Sequence, residues 1–105
     1  MPNPEDAEAF EWDDDGLERG NTAHLARHGV DQYEAEEVFY NGGRFAPNKR
    51  DASGDWLLVG RSDAGRVLTL VANYDDDRRV IRFITGWDST SGERTRYLRE
   101  KGVRS

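Results

Sequence analysis

Apolar positions recur at helical spacing in the first part of the chain and, past residue 43, at the spacing of extended strands. Ala9-Phe10-Glu11-Trp12 opens the pattern as a short aromatic strand, closed by the turn Asp13-Asp14-Asp15-Gly16. Residues 22–28 read as a short helix, with Asn21 as its N-cap and Gly29 as its C-terminal stop. A second helix is expected from Asp31 to about Tyr40, because Glu34 stands at capping-box spacing from Asp31. On it Tyr33, Glu37 and Tyr40 share one stripe, while Ala35, Val38 and Phe39 form the more apolar side. Asn41-Gly42-Gly43 ends it.

Trp56-Leu57-Leu58-Val59-Gly60 and residues 66–74 are continuous apolar runs, separated by Ser62-Asp63-Ala64-Gly65 at hairpin spacing. Asp75-Asp76-Asp77 marks the next turn, and residues 79–87 alternate as a third long strand. The Phe45 region is a candidate edge strand. Residues from Thr90 to about Lys101 close as a helix, with Ser89 or Thr90 as cap, Glu93 as early acid and Gly102 as stop. This order predicts an α+β fold: an antiparallel sheet of about four strands, with two N-terminal helices and one C-terminal helix packed on one face. The strand connections are too short for the crossovers of a doubly wound parallel sheet. Residues 1–8 read as a flexible tail and residues 9–105 as one domain.

Composition narrows the class. Apolar residues (35%) and charged residues (34%) are balanced, but three Trp, four Tyr and four Phe supply the large buried area that a disordered chain lacks. No run approaches the roughly 20 apolar residues of a membrane span. The acidic start lacks the basic and apolar regions of a secretion signal, so a cytoplasmic domain is expected. With no cysteine there is no disulfide frame and no thiolate chemistry. The net charge of −6 hides a division: residues 1–41 hold twelve acids against two arginines, a balance of −10, whereas residues 42–105 stand at +4. A basic second half suits an acidic partner or a polyanion; equally, the two halves neutralise one another within one fold. Arg outnumbers Lys thirteen to two, favouring planar forks for carboxylate or phosphate.

Several chemistries are excluded by pattern. There is no Gly-rich phosphate loop, no cysteine nucleophile and no serine in a strand-to-helix elbow. The acidic run at Asp13 lacks the later ligands and closing Glu of a calcium loop. His24 and His28, four apart on one helix, could reach a shared metal, but no third ligand stands at recognisable spacing and Leu25 occupies the place of the glutamate in HExxH. No metal and no cofactor are therefore expected. His28, at a helix C-terminus, is placed for an imidazolium that donates a proton or meets a phosphate; capping is the plainer role. Arg61 follows the first long strand. Arg82 alternates onto the face opposite Ile81 and Phe83, where it is a phosphate ligand if that face is concave and a solvated charge if it is not. Glu93 is read as a helix-start acid, and Trp12, Trp56 and Trp87 as core or interface residues.

Taken in order, Phe10-Glu11-Trp12-Asp13, Asn21-x-x-His24-x-x-Arg27-His28-Gly29-Val30 and Glu36-Glu37-Val38-Phe39 resemble the opening of the BrnT-type toxins. Leu58-Val59-Gly60-Arg61-Ser62 with Gly65-Arg66, then Ile81-Arg82-Phe83-Ile84-Thr85-Gly86, then Thr90-x-x-Glu93-Arg94-x-x-Tyr97, continue the resemblance over residues 10–101. It implies a RelE-like fold and a metal-independent endoribonuclease, the toxin of a type II toxin–antitoxin pair. It further implies an antitoxin partner with a ribbon-helix-helix DNA-binding domain, so that DNA is met only through the complex. On this reading Arg61 and Arg82 hold the scissile phosphate in a shared hollow, His28 is the proton donor, and Arg66 and Arg94 bind the RNA strand. The chain departs from the family pattern at Gly86-Trp87, where the family has Ala-Arg, and in a longer spacing from Asp13 to Asn21. A non-catalytic module that binds a partner protein on the same fold, with Trp87 as its anchor, is the alternative. A metal-dependent enzyme using His24 and His28 is a third.

Overall fold

The computed structural model describes residues 3–49 and 54–99. Among them are five strands, β1 (Ala9–Phe10), β2 (Arg44–Pro47), β3 (Trp56–Arg61), β4 (Val67–Asp75) and β5 (Val80–Asp88). Three α-helices accompany them, α1 (Asn21–Arg27), α2 (Gln32–Tyr40) and α3 (Ser91–Leu98). The strands form one sheet in the order β1-β5-β4-β3-β2. The fold is α+β as expected, but the sheet is mixed and five-stranded rather than antiparallel and about four-stranded. β1 runs parallel to β5, with Ala9 opposite Val80 and Phe10 opposite Ile81; the other pairs are antiparallel. A two-residue strand carries no directional signal in its sequence, and the two helices and three strands between β1 and β5 give the chain the length that a parallel return requires.

The helices lie on both faces, not one. α1 and α2 cover the face that bears Leu58, Leu68, Leu70, Ala72, Ile81 and Phe83, and close the main core with Leu25, Val30, Ala35 and Val38. α3 packs against β3 and β2 on the other face. Two-sided cover explains the unbroken apolar run in β3, where Leu57, Leu58 and Val59 are all buried. Phe83 is the largest fully buried side chain, with Phe10 stacked at 5.8 Å and Trp12 tilted against it at 5.6 Å. Part of the segment read as a tail is docked: Pro4 is buried, Ala7 packs on the core, and Glu8 N donates to Arg79 O.

The local signals of α2 and α3 act as read. Asp31 and Glu34 close a capping box on α2, and Thr90 and Glu93 close one on α3. Gly29, at φ 81°, ends α1 by donating to Ala26 O, while Val30 N reaches Leu25 O. The 62–65 turn also forms, with Gly65 N bonded to Ser62 O and Gly65 at φ 87°. Two ends differ. α1 is capped by Gly20, with no side-chain bond, because Asn21 is spent elsewhere. α3 stops at Leu98, with Arg99 left-handed at φ 58°; Lys101 and the expected stop Gly102 lie outside the described residues.

Candidate functional site

Arg82 leaves β5 on the face opposite Ile81 and Phe83, where its guanidinium is engaged by a carboxylate. Nη2 donates to Asp13 Oδ2 at 2.6 Å and Nη1 to Asp13 Oδ1 at 3.1 Å, with Glu11 3.9 Å away. The bidentate pair holds the Asp13 carboxyl below the ordinary 3.8, with the Arg82 bond the main cause and the Asn21 backbone N–H the next. Asn21 completes the junction. Its Nδ2 donates to Glu11 O at 3.0 Å and Phe83 O at 2.8 Å, and its Oδ1 accepts from Asp13 N at 2.9 Å. This is why Asn21 does not cap α1: three buried backbone groups outcompete one helix end.

Beside the junction, Arg19, Asn21, His24, Arg82 and Ile84 line an open cleft of about 190 Å³. The His24 and His28 rings lie 4.8 Å apart. His24 is held below the usual histidine value, first by burial and then by the positive charges of His28 and Arg27. His24, considered from the sequence only as a metal ligand, thus shares a cleft with Arg82, whereas the expected proton donor His28 sits one turn away as the exposed C-cap of α1. Among the described residues no three of His, Asp and Glu gather to hold a metal ion.

Arg61 lies elsewhere. It pairs with Val67 at one end of β4, while Arg82 pairs with Asn73, six residues further along the same strand. At ~3.3 Å per residue their levels differ by roughly 20 Å, so one phosphate cannot meet both. The expected shared hollow is not formed. Arg61 is exposed at the 62–65 hairpin, and a second cleft, of about 270 Å³, is lined by Asn41, Gly42, Gly43, Gly60, Arg61 and Leu98. Asn41 Nδ2 braces this end by donating to Arg61 O and to Asp63 Oδ1.

Arg66 is half-buried and clamped: Nε donates to Asp88 at 2.9 Å and Nη1 to Glu34 at 2.8 Å. The Asp88 bond, ahead of Glu34, raises the Arg66 value, and the same bond lowers Asp88. Arg94 is half-buried on α3, one turn past Thr90.

Under α3 the Glu93 carboxylate is 4% exposed. It accepts from Thr69 Oγ1 at 2.9 Å, from Trp87 Nε1 at 3.0 Å and from Thr90 N at 3.0 Å. Glu93 is therefore more than a helix-start acid; its capping-box position was legible, but its partner Thr69, 24 residues earlier, was not. At Gly86 an added Cβ would fall 2.6 Å from Leu70 Cδ2, so an alanine, as in the BrnT pattern, requires the buried Leu70 side chain to shift. No protein-family model matches the chain, and no curated protein matches it.

Proposed function

We propose that the chain is the toxin-like half of a type II toxin–antitoxin pair, a RelE-like scaffold that acts on RNA in the cytoplasm without a metal. It would be neutralised by an antitoxin with a ribbon-helix-helix DNA-binding domain. One observation supports the reading above others. Residues that carry the likeness to BrnT-type toxins meet across the fold, Asp13 with Arg82 and Asn21 with Phe83, while Thr90 and Glu93 close the capping box of α3. A collinear set arising by chance would have no reason to meet in space. Within this reading Arg61 holds the scissile phosphate and Arg94 binds the RNA strand, as the resemblance implies; Arg66 and Arg82, clamped by carboxylates, position their neighbours.

A second reading, a non-catalytic module that binds a partner protein, is favoured by Trp87. Its indole N–H answers Glu93 where the family pattern has an arginine. The test is purified, antitoxin-free protein incubated with several RNAs in chelator, alongside growth on expression. Cleavage that persists in chelator and falls with Arg61→Ala is the expected result. A folded wild type that neither cleaves nor arrests growth overturns it, and arrest gained only by Trp87→Arg identifies a lapsed nuclease.

A further inference from the structure

We propose that the exposed side of α1, with the cleft between it and β5, is a phosphodiester-binding site for single-stranded RNA, formed by Arg19, His24, Arg27 and His28. The inference rests on the RNA-directed reading above and extends to Arg19, His24 and Arg27 the phosphate contact expected of His28.

The distribution of cations points there. Residues 1–41 are strongly acidic, yet both of their arginines and both histidines of the chain fall between positions 19 and 28. Elsewhere Arg66, Arg78, Arg79 and Arg82 are paired with carboxylates, while Arg44 on β2 and Arg96 on α3, like Arg19 and Arg27, are not. Among the described residues Arg19 and Arg27 form no ion pair; Arg27 Nη1 instead donates to the backbone carbonyl of Glu18. Helical spacing brings His24 beside Arg27 and His28. The 4.8 Å ring separation and the shared cleft then join His24 to Arg19.

Among the described residues no ion pair engages Arg19, His24, Arg27 or His28, although Asp14, Asp15 and Glu18 stand in the loop before α1. The groups facing His24 from other elements are Arg82 on β5 and, behind it, Asp13, whose carboxylate is committed to Arg82 at 2.6 Å. On its own helix His24 faces Arg27 and His28. Burial first, and then these two positive charges, push its imidazole toward the neutral form. A bound phosphodiester reverses that balance, because it favours the imidazolium. The cleft, about 190 Å³ with Ile84 as an apolar wall, is of a size to take one sugar–phosphate unit.

The probe is a 2′-O-methylated uridine dodecamer, which cannot be cut through its 2′-oxygen. Its affinity is read by fluorescence anisotropy against salt at pH 5.5 and 7.5, for wild type, Arg19→Gln/His24→Gln and Arg27→Gln. Wild type is expected to bind more tightly at pH 5.5. The double variant should bind about tenfold more weakly there, with a salt slope smaller by about one for each phosphate it no longer neutralises. Binding should also move the His24 ring signals in the NMR spectrum. Unchanged affinity in both variants, with native melting curves, overturns the site; RNA cleavage persisting in them would leave the toxin reading standing on another surface. No binding by wild type at either pH also overturns the site, and the cleavage and growth assays then decide the toxin reading separately.

Discussion

Asp13 and Glu93 each fasten a flanking segment to β5, one beside its first half and the other beside its last residues, with different chemistry. Asp13 is paired in a bidentate fork with a permanent cation at a partly exposed site. Glu93 is enclosed beneath α3 and accepts from a hydroxyl, an indole N–H and a backbone N–H. The first junction depends on charge and therefore on pH and salt. The second depends on every donor being in place, because a buried acceptor left short is costly. The contrast separates what anchors the N-terminal segment from what anchors α3.

Removing Glu93 should have the largest effect. Glu93→Ala strands Trp87 Nε1 and Thr90 N, leaves Thr69 only its bond to Ser89, and is expected to cost about 3 kcal/mol in urea denaturation, with Glu93→Gln recovering part of it. Asn21→Ala follows at about 2 kcal/mol, since three backbone groups at the Asp13 junction lose their partner. Trp87→Phe keeps the ring and deletes one donor, so about 1 kcal/mol is expected.

The last prediction isolates the charge. The folded-state value of Asp13 is depressed, so its contribution is present above the ordinary 3.8 and is lost as pH falls through the lower folded value. Denaturation curves between neutral pH and acid should therefore fall more steeply for wild type than for Arg82→Gln. Parallel curves would show that the Asp13 fork does not distinguish the two junctions.

Most local structure was legible because its causes lie within four residues. The Asp31–Glu34 and Thr90–Glu93 boxes, the glycine after α1 and the 62–65 turn are examples. The candidate site was legible only in part. Arg82 was correctly placed on the face opposite Ile81, but the carboxylate that occupies it comes from 69 residues earlier. The expected Asn21 cap failed for a similar reason: its competitors, Glu11 O and Phe83 O, are assembled only by the tertiary fold. Period and spacing report which way a side chain leaves the backbone. They do not report what awaits it.

The short parallel strand β1 has a consequence for how copies of this protein meet. It covers β5 only at Val80 and Ile81, and just beyond, the amide of Asn21 occupies the carbonyl of Phe83. At the opposite border β2 is four residues long and ends in Pro47, which has no N–H to offer. A neighbouring extended chain thus meets a shortened ladder on both borders, occupied from Val80 to Phe83 on one and interrupted at Pro47 on the other.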